Sequence, residues 1–211
     1  MKRVLVPAAI AAVALMGTSC TTAGSGDIFP MSVGSVWNMN ILVMAGATAA
    51  SLDTFETGTV VNTVVEKANL TTGPEVVKYK NEATIHRRTP DSTYSSTTYS
   101  YYREDGDWIL GYSALDDSTG DTMMATTPTA GKTWHQGTSI AEVIGQEDVS
   151  VPAGTYKNAW KVKLTSSQGG YNVDMFSWFA PGTGLVKFHY ESSNQGYSQV
   201  YDQELTSTTV K

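Results

Sequence analysis

Residues 151–190 read VPAGTYKNAWKVKLTSSQGGYNVDMFSWFAPGTGLVKFHY, and their alternation decides the fold class. Val151-Pro152-Ala153-Gly154 is a turn. After it, Tyr156, Trp160, Val162 and Leu164 fall on one parity, while Lys157, Lys161 and Lys163 fall on the other. Successive side chains of a strand point to opposite faces, so this spacing predicts a strand with one apolar and one wet face. Ser167-Gln168-Gly169-Gly170 turns the chain and Tyr171 to Ala180 returns. Pro181-Gly182-Thr183-Gly184 reverses it again before Leu185 to Glu191. The stretch is a three-stranded antiparallel meander.

The same pattern runs through the rest of the chain. Val36 to Val43 places Trp37, Met39, Ile41 and Val43 on one side, and Thr57 to Lys67 is rich in β-branched residues that suit the pleat. Val76 to Arg88 has a period of two. Thr89-Pro90-Asp91-Ser92 turns the chain into Tyr94 to Glu104. Asp105-Gly106 then predicts a type I′ hairpin with Trp108 to Tyr112, a turn that needs positive φ at both central residues. Strands are also predicted at Thr122 to Thr127, Thr138 to Val151 and Tyr197 to Thr206. No window after residue 20 holds an i, i+3, i+4, i+7 apolar pattern beyond two turns. The expectation is an all-β domain over 27–211: a strongly curved antiparallel sheet, half-barrel or barrel-like, with about ten strands and almost no helix.

The N-terminus reads as a targeting segment. Met1-Lys2-Arg3 is basic, Val4 to Met16 is a 13-residue apolar run, and Gly17-Thr18-Ser19-Cys20 follows. Thirteen residues are too few to span a bilayer core of about 30 Å and suit a signal peptide over 1–19. The small residues before Cys20 resemble the lipobox of bacterial lipoproteins, with Gly17 where Leu is usual. That resemblance implies a lipid on Cys20, which becomes the new N-terminus and anchors the protein in a membrane. Three acyl chains hold stably where one holds marginally. Residues 20–26 form a flexible tether. Thr21 follows Cys20 where Asp marks inner-membrane retention, so the resemblance implies a cell-envelope protein of the outer membrane that faces the periplasm, or one that is exported and surface-facing.

Charge narrows the partners. The chain has 14 basic and 20 acidic residues. Loss of Lys2 and Arg3 with the leader leaves 12 basic against 20 acidic, a net −8, which argues against nucleic acid as a partner. Cys20 is the single cysteine, so no disulfide framework is available.

VPAGTY, SWFAPGTGLVKF, FPMSVGSVWNM from residue 29 and AGKTW at 130–134 together resemble landmarks of a group of bacterial envelope lipoproteins with VPAGTF and WYAPGVGLVK-type segments. The resemblance implies a curved antiparallel sheet like the half-barrels of lipoprotein carriers and receptors of the LolA/LolB type, whose concave face takes acyl chains. The matching residues are turn and core positions, so no binding residue carries over.

Catalytic and cofactor signatures are absent. His86, His135 and His189 have no ligand spacing between them and predict no metal site. Asp116-Asp117-Ser118-Thr119-Gly120-Asp121 lacks the alternation and distal Glu of a calcium loop and reads as a solvated turn, as do Glu104, Asp105 and Asp107. The chain has no Gly-x-Ser-x-Gly elbow, phosphate loop or dinucleotide fingerprint, so no cofactor and no enzyme activity are expected. Asn69-Leu70-Thr71 matches a glycosylation sequon by chance. Tyr94, Tyr99, Tyr101, Tyr102, Trp108 and Tyr112 cluster on one hairpin, with Tyr99 and Tyr101 on the parity opposite Tyr102. One face is expected to pack the core and the other to offer a platform for a protein or glycan partner. The leading expectation is a non-enzymatic carrier of an apolar ligand such as lipid. The alternative is a structural or assembly lipoprotein that uses the Tyr-rich hairpin 94–112. A side-chain-filled interior favours the alternative.

Overall fold

The computed structural model describes residues 27–168, 171–194 and 196–211. The signal peptide over 1–19, Cys20, the tether to Gly26, and Gly169-Gly170 of the expected turn lie outside the described residues. Among the described residues, twelve strands form one sheet. In chain order they are β1 (Val36–Gly46), β2 (Asp53–Asn69), β3 (Glu75–Arg87), β4 (Ser92–Asp105), β5 (Trp108–Tyr112), β6 (Asp121–Ala125), β7 (Thr133–Gln136), β8 (Ser139–Val151), β9 (Gly154–Gln168), β10 (Tyr171–Ala180), β11 (Gly184–Asn194) and β12 (Tyr197–Thr209). The sheet order is β6-β5-β4-β3-β2-β1-β12-β11-β10-β9-β8-β7, so the chain meanders outward twice from a central seam where β1 pairs with β12. The sheet is antiparallel and curls into a nearly closed barrel. The one helical turn among the described residues is the 3₁₀ segment Ala49–Ser51.

The expected all-β class and curvature hold, with twelve strands where about ten are predicted. The unforeseen strand is β7, four residues with only Trp134 buried, too short to show an alternation. The Asp105-Gly106 hairpin also shifts by one residue. Asp105 pairs with Trp108, which leaves Gly106 and Asp107 as the loop, and only Gly106 has positive φ, at 60°. The loop is thus of the kind that needs glycine first rather than the type I′ turn.

A bulge breaks the parity that Tyr156 to Leu164 shows in sequence. Asn158 has φ 53°, and the β8–β9 register shifts between Glu147 and Val149. Tyr156 and Ala159 therefore pack with Trp178, while Val162, Trp160 and Leu164 join Trp134 and Val143 on the other side of the sheet. The lysine row is not simply wet either. Lys161 Nζ lies 5.0 Å from the Trp178 ring and 3.3 Å from Glu147, whose carboxylate accepts the Trp178 indole N–H at 2.6 Å. The lysine stem covers the ring while its charge reaches a partner. Further bulges put an extra residue on β12, Thr206 opposite Asn38/Met39, and on β2, Phe55 opposite Val43/Met44 and Val65 between Val64 and Glu66. Bulges raise local twist and bend a strand, which is what curls an open sheet toward closure.

The last and first strands of the sheet meet through side chains. Trp134 on β7 donates its indole N–H to the Thr122 carbonyl on β6 at 3.1 Å, and its ring lies 5.8 Å from Trp108. Gln136 Nε2 reaches Met123 Sδ at 3.4 Å.

Candidate functional site

The barrel interior is built from alternate residues of β1, β2, β3 and β10, because directly paired residues face the same side. Trp37 pairs with Asn62, Asn62 with Asn81, and Met39 with Val60. Into the mouth comes a segment outside the sheet. Asp27 caps its own Phe29 N–H at 2.8 Å and accepts from Gly182 N at 2.9 Å. This fixes Ile28 in the core and drives the Phe29 ring between Tyr102, at 5.1 Å, and Tyr79, at 5.8 Å. Tyr79 donates its O–H to the Pro30 carbonyl at 2.5 Å. Burial pushes its phenol far above the ordinary range, so it stays a donor at any physiological pH. Gly184, with φ 88°, ends the Pro181–Gly184 turn and lets Pro30 approach: a Cβ there would lie 3.0 Å from Pro30 Cδ.

This packing leaves a cavity of about 240 Å³ bounded by Phe29, Trp37, Met39, Tyr79, Tyr102 and Phe179. Its polar edge is the Asn62–Asn81 amide pair, 2.7 Å apart, and Ser177. A wider hollow of about 590 Å³ lies on the outer side of β2, β1 and β12 against Asn40, Thr57, Asp202 and Glu204. Its carboxylates are already engaged, Glu204 by Lys187 at 2.7 Å and Asp202 by His189 at 2.7 Å.

The six aromatic residues of the 94–112 hairpin do not share a surface. Tyr102 lies inside the barrel, 4.9 Å from Tyr79 at an 81° angle. Trp108 packs at the β6–β7 seam under Lys132, 4.4 Å away. Tyr112 is buried with Leu70 and Val76, and Tyr101 packs half-buried against them. Tyr112 also accepts from Arg103 Nε at 3.0 Å. Only Tyr94 and Tyr99 are well exposed, at 44% and 45%. They stand on opposite faces of β4. Tyr94 donates to Glu56 at 3.2 Å, and Tyr99 lies 4.7 Å from Lys78 Nζ.

What the sequence does not reveal is the edge on which these two tyrosines stand. β4 has 14 residues and β5 has 5. β5 pairs only with Tyr101–Asp105, so Ser92–Ser100 has β3 on one side and, among the described residues, no strand on the other. Ser92 to Tyr99 are eight consecutive exposed residues in a fold where one parity is usually covered. The sequence signal is the uncharged hydroxyl-rich run itself. Its exposure follows from the shortness of β5.

The other polar candidates resolve into local structure. Asp117 Oδ2 accepts from Ser113 Oγ and N at 2.8 Å and from Ala114 N at 2.9 Å, and these bonds hold its carboxyl below the usual range. Asp105 pairs with Arg103 at 2.8 Å. His86 meets Thr93 and Asp91, and His135 is exposed on β7. Among the described residues, no three His, Cys, Asp or Glu side chains converge to hold a metal ion.

His189 stands apart because two carboxylates flank it, Asp202 at Nδ1 (2.7 Å) and Glu191 at Nε2 (2.9 Å). Burial opposes its charged form, but the bonds to Asp202 and Glu191 together outweigh that, and its pKa is raised above 6.5. A raised folded-state pKa means stability that is complete below about pH 6.5 and is lost as pH climbs through the higher folded value. The melting temperature is therefore expected to fall across that rise. His189→Gln is expected to flatten the change; a variant that keeps it would locate the titration elsewhere.

The fold defines a class, that of antiparallel meander barrels with a plugged mouth. No family model matches the chain, and no curated protein does. Two solved structures share its course. One, from Bacteroides fragilis NCTC 9343, is described as an exported protein with a YmcC-like fold. It is 14% identical with a TM-score of 0.49, over 87% of this chain and 99% of that one. The other, from Parabacteroides distasonis ATCC 8503, is described as a lipoprotein. It is 14% identical with a TM-score of 0.45, over 88% of this chain and 100% of that one. Neither likeness is close enough to bear on activity.

Proposed function

We propose that this protein is a non-enzymatic lipoprotein of a bacterial cell envelope, anchored through Cys20 in the outer membrane. In this reading it binds a protein or glycan partner outside its barrel, along Tyr94–Tyr99. The anchor rests on the lipobox-like Gly17-Thr18-Ser19-Cys20 and on Thr21. The observation that carries the binding reading is the uncovered run Ser92–Tyr99 beside an interior that the chain fills with its own Phe29, Tyr79 and Tyr102. The remaining 240 Å³ is below the roughly 300–1,000 Å³ of ordinary ligand sites. A free strand edge offers backbone donors and acceptors, and tyrosine adds amphipathic contact area beside them.

The test is a photoreactive phenylalanine analogue placed at Tyr99 in the full-length protein in a cell envelope, with exposed Thr129 as the control position. A discrete covalent adduct at 99 and none at 129 is the expected result. No adduct at 99, or equal adducts at both, would sink the reading.

One observation favours a second reading, a small apolar ligand in the barrel mouth: the cavity lining is largely aromatic, and Phe29 sits on a segment outside the sheet. A stoichiometric adduct in native mass spectrometry, extractable into organic solvent and lost on denaturation, would favour that reading.

A further inference from the structure

We propose that the open edge of β4 pairs with the same edge of a second copy of this chain, joining two barrels through one antiparallel ladder. The inference rests on the reading of that edge as the contact site and commits it to one partner.

Exposed strand edges template pairing with other chains, and proteins usually blunt them with Lys, Pro, bulges or a covering segment. The other two edges of this sheet are blunted, since β6 and β7 cover each other through Trp134 and Thr122. Among the described residues, the β4 edge has none of these devices. Ser92-Thr93-Tyr94-Ser95-Ser96-Thr97-Thr98-Tyr99-Ser100 contains no charge and no proline, and the β3–β4 register runs without a shift from Val77–Tyr102 to Arg87–Ser92.

Its chemistry fits itself. A two-fold contact places the same patch on both sides, so a charge at the centre would face its own kind. An uncharged run avoids that cost, whereas a charged partner would find no countercharge on this edge. The next row inward is also balanced, because Lys78 pairs with Glu66 at 2.9 Å and Lys80 with Glu82 at 2.7 Å. Antiparallel pairing keeps inner residues opposite inner residues. A two-fold centred on Ser96 therefore sets Tyr94 of each copy opposite Thr98 of the other, Thr93 opposite Tyr99, and Ser95 opposite Thr97. Aromatic against β-branched, and hydroxyl against hydroxyl, are stabilising cross-strand pairs. One strand edge is a small contact beside the roughly 1,200 Å² of a stable interface. The pairing is therefore weak in dilute solution and strengthened when anchored copies share a membrane, where their effective concentration is high.

The test uses the full-length protein in detergent. Directly paired residues of an antiparallel ladder sit about 4.5–5.5 Å apart at Cα, within disulfide reach. Ser96→Cys is expected to give at least tenfold more oxidised covalent dimer than Thr129→Cys or the unsubstituted chain, whose lane reports any contribution from Cys20. In sedimentation velocity, a concentration-dependent dimer is expected, and Ser96→Lys is expected to weaken it at least tenfold with an unchanged melting temperature. A chain that stays monomeric at every concentration without a Ser96→Cys cross-link would overturn the proposal. So would a dimer that Ser96→Lys leaves intact. A monomer in which the amides of 92–100 that point away from β3 resist hydrogen exchange would also overturn it, in favour of cover by the chain's own residues. A Tyr99 photo-adduct to a different macromolecule, without the Ser96→Cys dimer, would overturn the second copy alone. Absence of any adduct would sink the edge reading as well.

Discussion

Replacing Trp37 with alanine is expected to destabilise the barrel by about 3–5 kcal/mol, the usual cost of truncating a buried tryptophan. For a domain of this size that is a fall in melting temperature of roughly 10 °C. The size of the effect follows from three features of one side chain. Trp37 is 5% exposed and belongs to the cluster that contains Met39, Val64 and Leu205. Its ring stacks on Tyr79 at 6.0 Å and 18°, so truncation also frees the ring that Phe29 leans on. Its indole N–H donates to the Thr183 carbonyl at 2.5 Å, tying β1 to the turn between β10 and β11. Loss of the donor leaves that carbonyl to find water, at about 1–3 kcal/mol if it does not. Trp37→Phe keeps most of the apolar contact and removes the donor, so it should cost distinctly less than Trp37→Ala. Chemical denaturation of the three proteins measures the difference. A Trp37→Ala loss under 1 kcal/mol would mean that the mouth is not packed as described.

Trp134 should give a loss of similar size with a different signature. It is 7% exposed in the cluster with Ile109, Met124 and Val143, and it donates to Thr122 across the seam where the two ends of the sheet meet. Trp134→Ala is expected to cost about 3–5 kcal/mol and to open the barrel along the seam. Hydrogen exchange should therefore accelerate first in β6, β7 and the adjoining part of β8, while the β1–β12 ladder at the far side keeps its protection. Trp134→Phe retains ring packing on Trp108 and should move the seam less. Exchange that rises uniformly over all strands would mean that closure and global stability are one cooperative unit. Together the two tryptophans separate packing of the mouth from closure of the wall.

Strand propensity and turn chemistry were legible from residue types alone. Thr89–Ser92 and Pro181–Gly184 both turn the chain where the sequence places them, and Gly182 and Gly184 have positive φ there, at 70° and 88°. These are local properties, decided by the side chain and its immediate backbone. So is the period of two, which identifies a strand without reference to its neighbour.

Three features were not local and could not be read that way. The bulge at Asn158 moves Tyr156 to the Trp178 side of the sheet, because a single extra residue inverts every parity beyond it. Of the six aromatic residues in the 94–112 hairpin, only Tyr94 and Tyr99 are well exposed, since burial of the others depends on Phe29, Leu70 and Trp134, distant in sequence. The open edge exists because β5 ends after five residues while β4 runs for fourteen. The sequence by itself determined that this chain forms antiparallel strands with hydroxyl-rich β4 among them, because alternation and turn residues act over a few positions. Only the tertiary structure decided which strand lacks a neighbour and where the sheet closes, because both depend on pairing between segments far apart in the chain.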